Sequence, residues 1–252
     1  MKKESLYNYT LHLADNALIL AQRNSEWCGH GPVLEQDIAI TNISLDLIGQ
    51  ARSLFQYAAE LGAEGASEDT LAYLRDTRDY KNCLLVEQPN GDWAQTILRQ
   101  FFFSTYQFFL YQRLQQSTDA TLAAIAEKSL KEVTYHVRWS SEWVIRLGDG
   151  TEESQNRILN ALDELWMFTG ELFIPAAYEL DVVNASIGVD VSALKADWEQ
   201  RVNEIFEEAT ISIPATSAWM QRGGKEGVHT EHMGFILAEM QYMQRVYPGC
   251  EW

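Results

Sequence analysis

Residues 40–61 read ITNISLDLIGQARSLFQYAAEL. The apolar side chains Ile40, Ile43, Leu47, Ala51, Leu54, Ala58 and Leu61 step by threes and fours, which places them on one helix face. The pattern extends back to Val33 and predicts a helix over 33–61. A second stripe, small and polar, runs beside the first: Ala39, Asn42, Asp46, Gly49 and Ser53. Five prolines and 15 glycines in 252 residues leave few helix breakers, and long helices follow from that scarcity. The fold class is therefore all-α.

Outward from this helix, the remaining chain reads as further helical segments. One spans about Leu6–Asn24 and stops before Cys28-Gly29-His30-Gly31-Pro32. Ser67–Leu85 is expected to hold a shorter helix and a loop, and Gln88-Pro89-Asn90-Gly91 is a turn signal. Long helices follow over about Asp92–Gln116 and Ala120–Leu147, with N-cap candidates at Ser117-Thr118-Asp119 between them. A helix over roughly Glu152–Tyr178, a loop at Asn184–Asp190, a helix from Ser192 to near Ala209, and a last helix from Thr230 to before Pro248 complete the chain. Ile211–Pro214 and Gly223-Gly224 read as an irregular connection. Four long helices in two pairs, joined by the long connection Gly62–Gly91, predict a ferritin-like four-helix bundle with one long crossover plus additional C-terminal helices. No composition break marks a linker, so a single domain over 1–252 is expected.

Composition narrows the partners. The 19 Lys and Arg against 36 Asp and Glu give a net charge of −17, which excludes generic binding to nucleic acid or to an anionic membrane surface. Cys28, Cys83 and Cys250 are odd in number and far apart, with no CxxC, so neither a disulfide framework nor a zinc ribbon is expected. In the opening residues, His12, Asp15 and Asn16 interrupt the apolar run that a signal peptide needs, and no stretch approaches the roughly 20 apolar residues of a membrane span. A reduced cytoplasm is the expected compartment.

A ferritin-like bundle raises the question of a di-iron site, which takes a Glu from each of two helices and Glu-x-x-His from each of the other two. The second helix offers Asp46-Leu-Ile-Gly49 at that spacing, and glycine supplies no ligand. The fourth long helix reads Glu132-Val-Thr-Tyr135, with His136 turned about 100° further round. The nearest carboxylate of the first helix is Asp15. The third has Phe103-Ser104-Thr105-Tyr106-Gln107 at its centre, with Ser104 where a carboxylate would stand. Asp15, Asp46, Gly49, Ser104, Glu132, Tyr135 and His136 thus read as degenerate di-iron positions. Polar core groups there are expected to be held by hydrogen bonds, with Tyr135, His136 or Asn42 as partners, because buried carboxylates need pairing. A relic without bound metal is the preferred reading, and a low-affinity or altered metal site is the alternative.

Near the C-terminus, the literal Glu226-Gly-Val-His229 is flanked by Gly223, Gly224 and Gly227, so it is not expected to be helical. His229-Thr-Glu231-His232 places two imidazoles at the start of a helix, but two ligands do not make a zinc site. Polar contact with a partner chain is the preferred reading. Arg222-Gly-Gly-Lys225 could hold an anion at a helix start, and this makes Arg222, Lys225, His229, Glu231 and His232 candidate contacts to a partner or to CoA. Eight Trp, 11 Tyr and 10 Phe exceed what a core alone would use, and such a surplus suits an interface.

Several stretches together resemble the PaaC-type subunits of bacterial phenylacetyl-CoA epoxidases, the ring 1,2-epoxidases. They are Glu26-Trp-Cys-Gly-His30, Asp46-Leu-Ile-Gly-Gln-Ala-Arg52, Leu85-Val-Glu-Gln-Pro-Asn-Gly91, Lys131-Glu-Val-Thr-Tyr-His136, Gly223-Gly-Lys-Glu-Gly-Val-His-Thr-Glu-His232 and Leu237-Ala-Glu-Met-Gln-Tyr-Met-Gln-Arg245. The resemblance covers essentially the whole chain. It implies a ferritin-like subunit with no working site of its own. Such a subunit stabilises a di-iron catalytic subunit of the PaaA type, while small and reductase subunits bring electrons from NADPH. The assembly would use O₂ to epoxidise the ring of phenylacetyl-CoA, and self-association of this chain is a further expectation. Two other readings stay open on the residues alone. One is an autonomous carboxylate-bridged oxidase using Asp15, Asp46, Glu132 and His136. The other is an acyl-CoA-binding adaptor using Arg222 and Lys225.

Overall fold

The computed structural model describes residues 3–62, 65–214 and 219–250. Among them there are α-helices and short 3-10 turns and no strand. The all-α class with paired long helices, expected of a ferritin-like helical bundle, is what the structure contains. The helices are α1 (Lys3–Ser25), α2 (Leu34–Leu61), α3 (Glu68–Tyr73), α4 (Trp93–Leu114), α5 (Ala120–Gly148), α6 (Glu152–Leu165), α7 (Ala177–Asn184), α8 (Lys195–Glu208) and α9 (Glu231–Val246). Among the described residues, no helix is long and apolar enough to cross a membrane.

The chain forms two compact units. One comprises Met1–Glu87, Ala176–Ala185 and Gly223–Trp252; the other comprises Gln88–Pro175 and Ser186–Arg222. In the first unit, α1 and α2 pack as a helical hairpin, with α7 and α9 also against α1, and α3 against α2 and α9. The middle of α1, from Tyr9 to Ala21, is buried on every side. In contrast, α2 buries a single stripe. Ile40, Ile43, Leu47, Ala51, Leu54 and Ala58 all face inward, as their spacing predicts, whereas Leu61 is half-buried. The opposite side of α2 stays exposed.

The second unit is built on the α4–α5 hairpin, with α6 and α8 packed against both. The Asp92 carboxylate accepts the Gln95 N–H and starts α4. Asp119 does the same for α5 through the Leu122 N–H. These caps satisfy backbone donors that a helix start leaves without an intrahelical partner. Residues 96–107 of α4 are buried all round, and the reason is an aromatic core. The Phe102 ring lies 5.6 Å from Trp198 and 5.8 Å from Trp166, centroid to centroid, and the Trp198 indole N–H donates to the Phe102 carbonyl at 3.0 Å. The aromatic excess of the sequence is thus partly core.

Two expectations are corrected. The helix expected over Glu152–Tyr178 is broken: α6 ends at Leu165, 3-10 turns occupy Trp166–Phe168 and Gly170–Phe173, and α7 starts at Ala177. Pro175 separates the second 3-10 turn from α7. It lacks a backbone donor and drives Ile174 into extended conformation (φ −99°, ψ 111°). The cap expected at Ser192 is instead Asp190, whose carboxylate accepts the Ser192 N–H at the start of a 3-10 turn that leads into α8.

Gly49 lies inside α2, half-buried, and a Cβ there would meet nothing within 4 Å. A helix-interior glycine costs about 1 kcal/mol relative to alanine. Gly49→Ala is therefore expected to stabilise the chain by about 0.5–1 kcal/mol, read as an increase in the urea midpoint at unchanged m-value. An unchanged or lowered midpoint would show that the position carries a structural constraint.

Candidate functional site

A cluster of buried charged groups lies inside the first unit. Among the described residues three carboxylates are buried there, and each is held by a cation from a distant part of the sequence. All three pairs converge on the crossover segment or on the glycine-rich segment before α9.

Asp15, on α1, is fully buried. The Arg75 guanidinium grips both of its oxygens, through Nη1 to Oδ2 at 3.1 Å and through Nη2 to Oδ1. The Lys81 N–H adds a third donor to Oδ2 at 2.9 Å. Arg75 lies over the Tyr80 ring, 4.1 Å from its centroid, and donates to the Leu71 and Asp79 carbonyls. Burial alone would lower the Arg75 pKa, but the charge and hydrogen bonds of Asp15 raise it. The fork geometry makes this a two-point clamp between α1 and the segment after α3.

Glu87, near the end of the crossover, accepts four side-chain or backbone donors. Asn82 Nδ2 and His229 Nδ1 reach Oε2 at 2.9 and 2.7 Å. The Thr230 N–H and hydroxyl reach Oε1 at 2.6 and 2.7 Å. The other His229 nitrogen, Nε2, faces the Tyr80 carbonyl at 3.0 Å. A carbonyl only accepts, so Nε2 carries a proton. Nδ1 faces a carboxylate already served by three other donors, which favours a second proton and an imidazolium. Burial would lower the His229 pKa, but the Glu87 hydrogen bond and charge reverse this and raise it, with a smaller push from Asp15.

Glu179, on α7, caps its own helix by accepting the Ala176 N–H at 2.8 Å, and it binds Lys225 Nζ at 3.0 Å through the same oxygen. His12 approaches the other oxygen at 3.8 Å, yet this is not an ion pair. His12 Nδ1 donates to the Lys81 carbonyl at 2.7 Å, and burial pushes the imidazole below its ordinary pKa despite the pull of Glu179. His12 is neutral.

The glycine-rich segment can lie this close because it lacks side chains where it touches the crossover. A Cβ on Gly224 would stand 2.3 Å from the Asn82 carbonyl oxygen. One on Gly227, whose φ is +81°, would stand 2.3 Å from the Arg78 carbonyl oxygen. Gly227 also requires the left-handed region that glycine adopts freely.

These placements revise the sequence expectations. As expected, Glu226-Gly-Val-His229 is not helical: it spans a 3-10 turn and a left-handed glycine. Lys225 and His229, read as contacts to CoA or to a partner, are instead internal, with side chains 4% and 1% exposed. Their cation and imidazolium are taken up by Glu179 and Glu87. Arg222 and Glu231 are exposed and His232 is half-buried. The residues that reasoning from sequence missed are Arg75, Glu87 and Glu179. The glycine spacing around Lys225 was the signal that a backbone must come close there.

The degenerate di-iron positions are divided between the units. Asp15, Asp46 and Gly49 belong to the first, Ser104, Glu132, Tyr135 and His136 to the second. Asp46 and Glu132 are half-buried, Tyr135 is exposed, and His136 is the buried member of its pair. Ser104 Oγ lies 3.4 Å from Ser140 Oγ, which donates to the His136 carbonyl. Among the described residues, no three His, Cys, Asp or Glu side chains gather as a metal-holding group. The donor set does not fit a di-iron centre, since Gly49 has no side chain and the Asp15 oxygens are already clamped by Arg75.

Two comparisons with known proteins bear on this chain. A family model described as "Phenylacetic acid catabolic protein" matches residues 1–252. The chain is also 51% identical over 244 residues to one of the subunits of the 1,2-phenylacetyl-CoA epoxidase of Escherichia coli (strain K12), covering 97% of this chain and 98% of that protein.

Two outcomes are expected of the buried pairs. Arg75→Met strands the Asp15 charge in the interior and is expected to cost about 3–5 kcal/mol in chemical unfolding; a loss below about 1 kcal/mol would show that the clamp is dispensable. For His229, a folded pKa above the unfolded value of about 6.5 means that its stabilisation is complete below that pH. It is lost as pH rises through the folded value. The stability gap between the wild type and His229→Gln is therefore expected to be widest below about pH 6.5 and to narrow on the alkaline side. His12, with its lowered pKa, has the opposite sign and costs stability as pH falls below about 6.5. Both proteins share that cost, so it cancels from the gap. A gap that does not change with pH would contradict the imidazolium assignment.

Proposed function

The chain belongs to the phenylacetic acid catabolic protein family, and on that footing we propose that it is a non-catalytic, cytoplasmic subunit of a multicomponent phenylacetyl-CoA epoxidase. It packs against the di-iron catalytic subunit and stabilises it in aerobic phenylacetate breakdown. The observation that carries this reading is the 51% identity to a subunit of such an epoxidase, which extends across almost the full length of both chains.

The chemistry of the interior supports a structural role. A carboxylate-bridged iron pair needs free carboxylate oxygens and imidazoles on facing helices. Here the buried acids of the first unit are committed to Arg75, His229 and Lys225. In the second unit, Ser104 and Tyr135 stand at the positions where ligands are wanted. The di-iron centre and the O₂ chemistry are accordingly assigned to the partner. This chain contributes packed helices and apolar surface: large side chains are exposed on α2 and on α9, including Phe235 and Tyr242, and at Tyr247 just after α9.

Co-expression with the catalytic subunit of the same epoxidase tests this. The expected result is a stable complex in which iron follows the catalytic subunit, while the separately purified chain holds substoichiometric iron and consumes no O₂. Two irons per isolated chain with O₂ consumption would overturn the proposal.

A further inference from the structure

We propose that the outward face of α2 is a docking surface for an amphipathic helix of a different polypeptide, whose apolar side chains are rimmed by Lys and Arg. This rests on the subunit reading above and adds the place and the chemistry of the contact.

Leu34, Ile38, Leu45 and Ile48 are 70%, 52%, 60% and 42% exposed. At about 100° per residue they fall within one narrow stripe, opposite the buried stripe of Ile40, Ile43, Leu47 and Leu54. The stripe runs for about 21 Å along the axis. Exposed apolar surface of this kind, interrupted on this stripe by the half-buried Thr41, marks an interaction site.

Its relief is that of a helix-docking surface. Leu45, Ile48, Gly49 and Arg52 are spaced i, i+3, i+4 and i+7, the four corners of a hole that accepts one side chain from a facing helix. Gly49 leaves the floor of that hole bare, and the space where its Cβ would stand is open. A partner side chain can therefore seat against the α2 backbone.

Charge identifies the occupant. Beside the stripe stand Glu35, Asp37 and Asp46, and Arg52, at its C-terminal end, is held by Glu68 at 3.1 Å. Glu35 and Asp46 flank the stripe on one side and Asp37 on the other, by the same rotation of about 100° per residue. A second copy docked through the same face would bring carboxylates of one rim towards those of the other, under a net charge of −17 on each copy. Like charges facing across an interface oppose association. An anionic membrane is disfavoured for the same reason. A helix with Leu- or Ile-type knobs and a basic rim satisfies both the relief and the charge.

The test titrates the full chain onto the immobilised catalytic subunit, comparing wild type with Leu45→Glu, Gly49→Leu and Asp46→Lys. These sites are exposed or half-buried, and helix content by circular dichroism checks that each variant is folded. Each variant is expected to weaken binding on the order of tenfold or more, the loss seen when an interface anchor is removed. Wild-type affinity is expected to fall as salt is added. If the wild type binds and all three variants bind equally well, the α2 surface is wrong while the subunit reading stands. If the wild type does not bind the catalytic subunit at all, the subunit reading fails and this inference fails with it. If sedimentation shows a dimer of this chain that Leu45→Glu dissolves, the face is a self-contact and the proposal is overturned.

Discussion

Carboxylates out of reach of water must be neutralised, and the first unit is arranged around doing this three times. Desolvating one charge costs several kcal/mol, and only a well-placed opposite charge with further hydrogen bonds offsets it. Asp15, Glu87 and Glu179 each meet that condition, and their cations come from Arg75, His229 and Lys225. The partners are 60, 142 and 46 residues apart in sequence. Each pair therefore fixes one remote segment: the crossover against α1, the glycine-rich segment against the crossover, and that same segment against α7. Hydrophobic burial brings α1 and α2 together, but it is non-directional. The ion pairs select a single arrangement of the segments that have little apolar material of their own.

The same constraint bears on chemistry. Carboxylates in the core of a helical bundle can neutralise one another by sharing metal ions, or they can be neutralised by protein cations. A clamp such as Arg75 on Asp15 occupies both oxygens, and a saturated acceptor such as Glu87 has four donors in place. A chain that settles its buried charge in this way has given those oxygens a structural task, which suits a subunit whose contribution to the reaction is made through its surface.

Much of the helix layout was legible because helix periodicity is a local property. The inward stripe of α2 and the caps at Asp92 and Asp119 are set by residues a few positions apart. The break at Pro175 was legible in principle, since the ring has the same effect in any context, but the apolar residues on either side carried the pattern across it. The ion pairs were not legible. Lys225 and His229 stood out as functional groups, but nothing local says that their partners are Glu179 and Glu87, and a cation next to glycines reads equally well as an anion site on the surface. Gly49 was legible as a missing ligand. That the space beside it is open depends on which side of α2 the hairpin covers, and spacing alone left that undecided for the polar stripe.

The two faces of α2 separate the roles of apolar and charged residues in this chain. Inward, Ile40, Ile43, Leu47 and Leu54 are buried and hold the hairpin. Outward, Leu34, Ile38, Leu45 and Ile48 present a similar apolar stripe to solvent, bordered by carboxylates on both flanks. The acids cannot relieve the exposure of that stripe, because they do not cover it. They do determine its company, since apolar surface attracts many partners and a rim of one sign admits only those of the other. On the docking proposal, negative charge that is merely abundant in the composition becomes, at this face, a selection rule in favour of a basic partner.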